Sequence, residues 1–282
     1  MTDIAPVRHA WWFLLLAVAA SWLLWSVLAI AGPALPHAAA TGLLMAGFLA
    51  VGVLAVAMAE PARAGIRSRV SWRARFDVRR IGAVGWISAL LLFPVLATVA
   101  VWLDAWQTGV SPAGGAVLHS GSLPAWLRWY GFSLLAGPLL EELGWRGVAL
   151  APLERRYGAL RGAALLGCVH ALWHVPLFIV PGGYFHELGL LTPAFWRFMA
   201  DILVFDLLAA ALFNATRSSV LAAVVLHASF NAAGLLWVLS PQASWVREGL
   251  AVAVAALLIF ATRGRLFLGI RTDARTASAA AG

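Results

Sequence analysis

The chain has 282 residues, of which 62% are hydrophobic and only 11% charged, and it carries 15 tryptophans. Soluble domains hold about 25% charged residues, so the composition excludes a water-soluble globular domain and identifies an integral membrane protein. The net charge of +8 invites a nucleic-acid reading, but the positions of the arginines argue against it.

Eight apolar runs are long enough, or nearly so, to cross a hydrocarbon core of roughly 30 Å, which needs about 20 helical residues. They fall near 11–31, 39–59, 81–103, 126–151, 161–180, 194–214, 219–240 and 247–263, the last being short. Barrel strands alternate every second residue, and these runs do not. The sequence therefore predicts an all-α, polytopic membrane bundle of about eight transmembrane helices. The first run exceeds the 7–15 residues of a usual signal-peptide core and is read as a retained helix.

All 20 basic residues are arginine. Seven lie from Arg63 to Arg80, three at Arg155, Arg156 and Arg161, one at Arg217 and four from Arg263 to Arg275. These are the even-numbered connections and the C-terminal tail, and Arg8 lies in the N-terminal tail. The odd-numbered connections, 32–38, 104–125, 181–193 and 241–246, have no arginine. The alternation follows the positive-inside rule and puts both termini in the cytoplasm.

Three membrane helices with an arginine-rich cytoplasmic loop (60–80) occupy 1–125. A core follows over 126–240, then a last transmembrane helix in 241–270 and a disordered Ala/Gly-rich tail over 271–282. Within the loop, Ile66, Val70, Trp72 and Phe76 are interleaved with arginines. That pattern suits either an amphipathic helix lying on anionic lipid or a solvated loop that fixes topology. The lone Cys168 lies within a span and is read as a packed small residue.

Three polar constellations interrupt the core spans: Glu141-Glu142-x-x-x-Arg146, His170-x-x-x-His174 and His227-x-x-x-Asn231. An ionisable group at mid-bilayer costs about 2.5–3.5 kcal/mol even on lenient insertion scales, so such groups mark a pathway or a reaction site. Glu142 and Arg146 are four apart and share a helix face, which predicts an intrahelical ion pair. Glu141 lies on another stripe with Gly137 and Gly144, so it is expected to face open space, below a kink at Pro138. His170 and His174 aim two imidazoles at one point, as in zinc-binding helices. Asn231 adds a neutral amide to the face of His227, which suits an oxyanion better than a metal.

Depth is an independent check. At 1.5 Å per residue, Glu141 lies roughly 15 Å from the cytoplasmic end of its helix, His174 about 20 Å and His227 about 14 Å. Antiparallel helices thus bring these groups to one level. Asp201 and Asp206, at about 20 and 12 Å, can orient a histidine or neutralise Arg197.

An EExxxR motif, then an x-W-H-x-P segment, then HxxxN, in that order on successive spans, resembles the CPBP family. Its members are the intramembrane CAAX prenyl proteases type II and their bacterial bacteriocin-processing and immunity relatives. The resemblance covers about 126–235. The family's second motif is usually FxxxH, and His170 stands where Phe is expected. The resemblance implies a bundle of about eight helices with a cavity opening to the cytoplasm and lipid. It further implies that Glu141 and His174 activate a water, that His227 and Asn231 steady the oxyanion, and that Glu142 and Arg146 support the motif. Both a metal-free glutamate mechanism and a single Zn2+ held by His174 and His227, with His170 as an extra ligand, stay open, although Asn231 is a poor zinc ligand.

The expected partners are a peptide or protein substrate at the membrane and anionic lipid at the arginine-rich loops, with no nucleic acid. The all-Arg basic usage points to a bacterial inner (cytoplasmic) membrane. Two other classes stay open: a catalytically silent interaction or immunity protein, and a proton-coupled transporter, though no inverted repeat of the kind transporters often carry is present.

Overall fold

The computed structural model describes residues 5–58, 72–115 and 137–268, with scattered positions between 118 and 134. Most of the arginine-rich loop read as lipid-facing, and the Ala/Gly tail, lie outside the described residues. Among the described residues the chain is helical, with no β-strand and one isolated antiparallel bridge between Gly114 and Trp237.

The elements are α1 (Ala5–Ala31), α2 (His37–Met58), α3 (Trp72–Arg75), α4 (Gly82–Thr108), α5 (Pro138–Gly144), a π-turn (Trp145–Ala149) and α6 (Leu150–Tyr157). They continue with α7 (Ala159–Trp173), α8 (Tyr184–Leu188), α9 (Pro193–Ala215), α10 (Val220–Leu236) and α11 (Pro241–Ala261). Among the described residues, six helical stretches are long and apolar enough to cross a membrane: Val7–Ala34, His37–Met58, Gly82–Thr108, Ala159–Ile179, Pro193–Ala215 and Pro241–Ala261. The polytopic all-α bundle expected from hydropathy is therefore present. The seventh expected span, α10, is a shorter apolar helix at Val220–Leu236. The fourth is described continuously only from residue 137 onward, and there it is broken by the π-turn.

Local chemistry sets the helix ends. Thr192, Ser219 and Ser240 each accept a hydrogen bond from a backbone N–H three residues on, satisfying a donor that a helix start leaves orphaned. Pro176, two residues past His174, cannot continue α7, so His174 caps it and a 3-10 turn (Val175–Ile179) follows.

Two of the three apolar cores among the described residues meet at a seam. One joins α1, α2, α5–α7 and the C-terminal end of α9 around Trp25, Trp145, Leu150, Leu166 and Trp173. The other joins α4, α9, α10 and α11 around Phe93, Phe205, Leu208 and Leu226. Small residues allow the close approaches. A Cβ on Gly167 would meet the Asp206 Cβ at 3.0 Å, so α7 and α9 pack nearly backbone to backbone beside His170. A Cβ on Gly144 would meet Phe13 and Val51 at 2.5 and 2.6 Å. The glycine stripe beside Glu141 is thus filled by α1 and α2, which corrects the expectation of open space there.

Large apolar side chains such as Leu23, Ile30, Val84, Ile87, Leu257 and Phe260 face outward, as lipid contact requires. Cys168 also faces outward on α7, so it is not the packed residue expected from its position in a span.

Candidate active site

The polar residues of five elements converge at the seam. Glu141 and Glu142 come from α5, Arg146 from the π-turn, His170 and His174 from the end of α7, Asp206 from α9 and His227 from α10. All seven are buried, and Glu142, Arg146 and His170 have no exposed surface at all. Charges held this deep must be paired.

Adjacent in sequence, the two glutamates have separate partners. Arg146 Nη1 donates to Glu142 Oε1 at 2.9 Å, the intrahelical pair the spacing predicts. The same oxygen accepts from His227 Nδ1 at 3.0 Å, tying α5 to α10. Arg146 Nη2 also lies 2.6 Å from Asp206 Oδ1, and the guanidinium sits 5.2 Å above the Phe205 ring. Arg146 is therefore shared between Glu142 and Asp206, an arrangement the i,i+4 rule alone does not reveal.

Glu141 takes part in a different array. Its Oε2 lies 3.1 Å from His170 Nε2, and His170 Nδ1 lies 2.9 Å from Asp206 Oδ2. A neutral imidazole has one N–H, so two such hydrogen bonds to carboxylates require one further proton shared along Glu141–His170–Asp206. The residue that departs from the family pattern is thus the direct partner of Glu141. The indole of Trp145 lies 5.0 Å from the His170 ring and covers it, and Trp173 flanks it at 5.8 Å.

His174 has a different role. Its Nδ1–H donates to the His170 carbonyl at 3.0 Å, which fixes the ring and leaves Nε2 projecting from it. Its ring is 5.1 Å from that of His170 and is walled by Phe185 and Phe198. Glu141 hydrogen-bonds to His170 and not to His174. Asn231, one turn beyond His227 on α10, is exposed and joins none of these bonds among the described residues.

Zinc can be weighed against this donor set. Both His170 nitrogens are engaged by carboxylates, so it has no free donor to offer. His174 and His227 each keep only Nε2, and among the described residues no three His, Cys, Asp or Glu side chains converge as a metal-binding group. This arrangement does not fit the three protein ligands of an open zinc site.

Asp206 is the member that sequence reasoning weighted least. Its signal was depth, but its double contact to Arg146 and His170 depends on the α7–α9 approach at Gly167, which no local pattern encodes. A second buried group lies on α9 and α11: Asp201 pairs with Arg197 at 2.7 Å and also with Arg247, near the Glu248 carboxylate. There the sequence expectation that Asp201 neutralises Arg197 holds.

Residues 122–233 match the family model described as Type II CAAX prenyl endopeptidase Rce1-like. The chain is also 29% identical over 139 residues to a protein named CAAX prenyl protease 2 from Methanococcus maripaludis. That alignment covers 48% of this chain and 51% of the relative, so the match spans about half of each. The resemblance to CPBP proteases read from the three motifs thus holds, and it covers every residue of the site.

Proposed function

We propose that the chain is an intramembrane endopeptidase that hydrolyses a peptide bond at the level of Glu141, near the cytoplasmic side of the bilayer. The observation that carries this reading is the Glu141–His170–Asp206 array, a buried carboxylate backed by a held imidazole, with the free Nε2 atoms of His174 and His227 on neighbouring helices.

In the proposed reaction a water attacks the carbonyl carbon of the scissile bond while Glu141, helped by His174, takes its proton. The carbonyl π pair moves onto oxygen, and the oxyanion accepts from His227 Nε2–H, whose charge is balanced by Glu142, and from the amide of Asn231. On collapse, the C–N bond breaks and the proton held at Glu141 goes to the leaving nitrogen, giving a carboxylic acid and an amine. His170 and Asp206 keep Glu141 oriented, and Arg146 locks Glu142 and Asp206 in register. No step needs a metal.

The substrate we propose is a peptide reaching the site from the cytoplasmic face of a bacterial inner membrane, either a lipidated C-terminal tail or a hydrophobic leader. Anionic lipid at the arginine-rich loop belongs to the same proposal. The test is comparative proteomics of membrane peptides from the parent and a Glu141→Gln strain. Peptides that persist only in the variant support the reading. Identical peptide pools would instead favour a catalytically silent interaction protein.

A further inference from the structure

We propose that Arg75, on the cytoplasmic α3 and outside the matched domain, is a positioning residue: it clamps the π-turn of the EExxxR helix to the start of the His227 helix. The inference rests on the hydrolytic reading above only for its effect on turnover.

The contacts run in both directions from one residue. The Arg75 guanidinium, through Nη1, donates to the Gly147 carbonyl at 2.7 Å and reaches the Arg146 carbonyl at 3.4 Å. Its own carbonyl accepts from Ser219 Oγ at 3.3 Å, and that hydroxyl in turn accepts from the Ala222 N–H at the start of α10.

The π-turn explains why a clamp is needed there. Leu150 N–H reaches back five residues to the Trp145 carbonyl instead of four. A π-turn is rare and inserts one residue into the helix, so the carbonyls beside it lose their regular donors and must find others. Arg75 supplies N–H groups to two of them. If the turn relaxed to regular α-helix, everything on one side would rotate by about 100° relative to the other. Arg146 would then leave Glu142 or Asp206, and Trp145 would leave the face of His170.

The electrostatics support a directed role. Burial, together with the nearby Arg155 and Arg80, lowers the pKa of Arg75 from its ordinary value. A cation drawn into a partly buried position beside other cations is not a simple topology signal. In an arginine-rich connection read as a surface feature, this one side chain turns inward onto the site.

The test uses the purified full chain in lipid nanodiscs, with Arg75→Ala, Arg75→Lys and the exposed neighbour Arg73→Ala. Amide hydrogen exchange is read by mass spectrometry, alongside processing of the peptides that accumulate in the Glu141→Gln strain. Arg75→Ala should speed exchange in 145–151 and 220–223 at least about tenfold and lower the processing rate by a similar factor, as loss of a charge-assisted bond implies. Exchange in α1, α2 and α11 should not change. Arg75→Lys, with a single donor head, should recover part of both, and Arg73→Ala should match the parent. If Arg75→Ala fails to fold, faster exchange confined to 145–151 in Arg75→Lys still supports the clamp, and parental exchange there overturns it. Parental exchange and processing in a folded Arg75→Ala also overturn it. If local exchange rises but no peptide accumulates in Glu141→Gln, the clamp stands and the hydrolytic reading fails.

Discussion

Glu141 and Glu142 differ in what their loss would do. Glu141→Gln keeps shape and volume but removes the proposed base, so peptide processing should fall at least about 10²-fold, in line with general-base contributions, with yield and melting temperature near parental. Near-normal turnover in that variant would remove Glu141 from its assigned role. Glu142→Gln removes the carboxylate charge that Arg146 and His227 share while leaving Arg146 its Asp206 contact, so it should chiefly cost stability, read as lower yield and earlier thermal unfolding. His170→Phe restores the residue usual in the family. It is expected to retain turnover within about tenfold, since Glu141 and His174 are both left in place, while stability drops by about 1–3 kcal/mol for the lost bonds to Asp206 and Glu141. Activity abolished by His170→Phe in a folded protein would make the imidazole itself essential. At this scale the sequence was informative wherever partners share a helix. The Glu142–Arg146 spacing read correctly because four residues is one turn. The Glu142–His227 bond spans 85 positions and the Arg146–Asp206 contact 60, and no period connects such pairs.

The helix from Pro138 to Tyr157 shows the same limit. Its apolar character and motif were readable, but its π-turn was not, because the inserted residue changes backbone hydrogen bonding rather than side-chain pattern. The stripe of Gly137, Glu141 and Gly144 likewise pointed to an open face only because Phe13 and Val51 lie on helices far upstream. Just beyond the turn, α6 provides a pH test. Glu154 is buried and accepts from Asn214 Nδ2 at 2.8 Å, and burial raises its pKa to about 7, above the ordinary 4.5. The folded state thus holds this proton more tightly than the unfolded chain. The associated stability is fully present below about pH 4.5 and is lost as pH rises through about 7, a change on the order of 3 kcal/mol. Melting of the α6–α9 contact, followed by hydrogen exchange of 150–157, should therefore be more facile at pH 8 than at pH 5. Glu154→Gln, which keeps an acceptor for Asn214, should flatten that dependence. An unchanged pH dependence in the variant would assign it to another group.

At the scale of the whole molecule, hydropathy and arginine alternation gave the bundle and its polytopic character, since both depend on composition averaged over a helix. The orientation follows from charge alone and is open to direct test. In a Cys168→Ala background, needed because Cys168 faces outward, cysteines at 70 and 158 should be labelled only from the cytoplasm and one at the exposed position 111 only from outside. Labelling at 111 from the cytoplasmic side would overturn the topology and the depth argument together. The buried Glu142–Arg146 pair also bears on how the chain is made. Synthesis runs at roughly 5–20 residues per second, so Arg146 leaves the ribosome several seconds before Asp206, 60 residues on, can meet it. In that interval Glu142, already on the same helix, is the partner within reach of Arg146, and the pairing with Asp206 waits for a helix not yet synthesised.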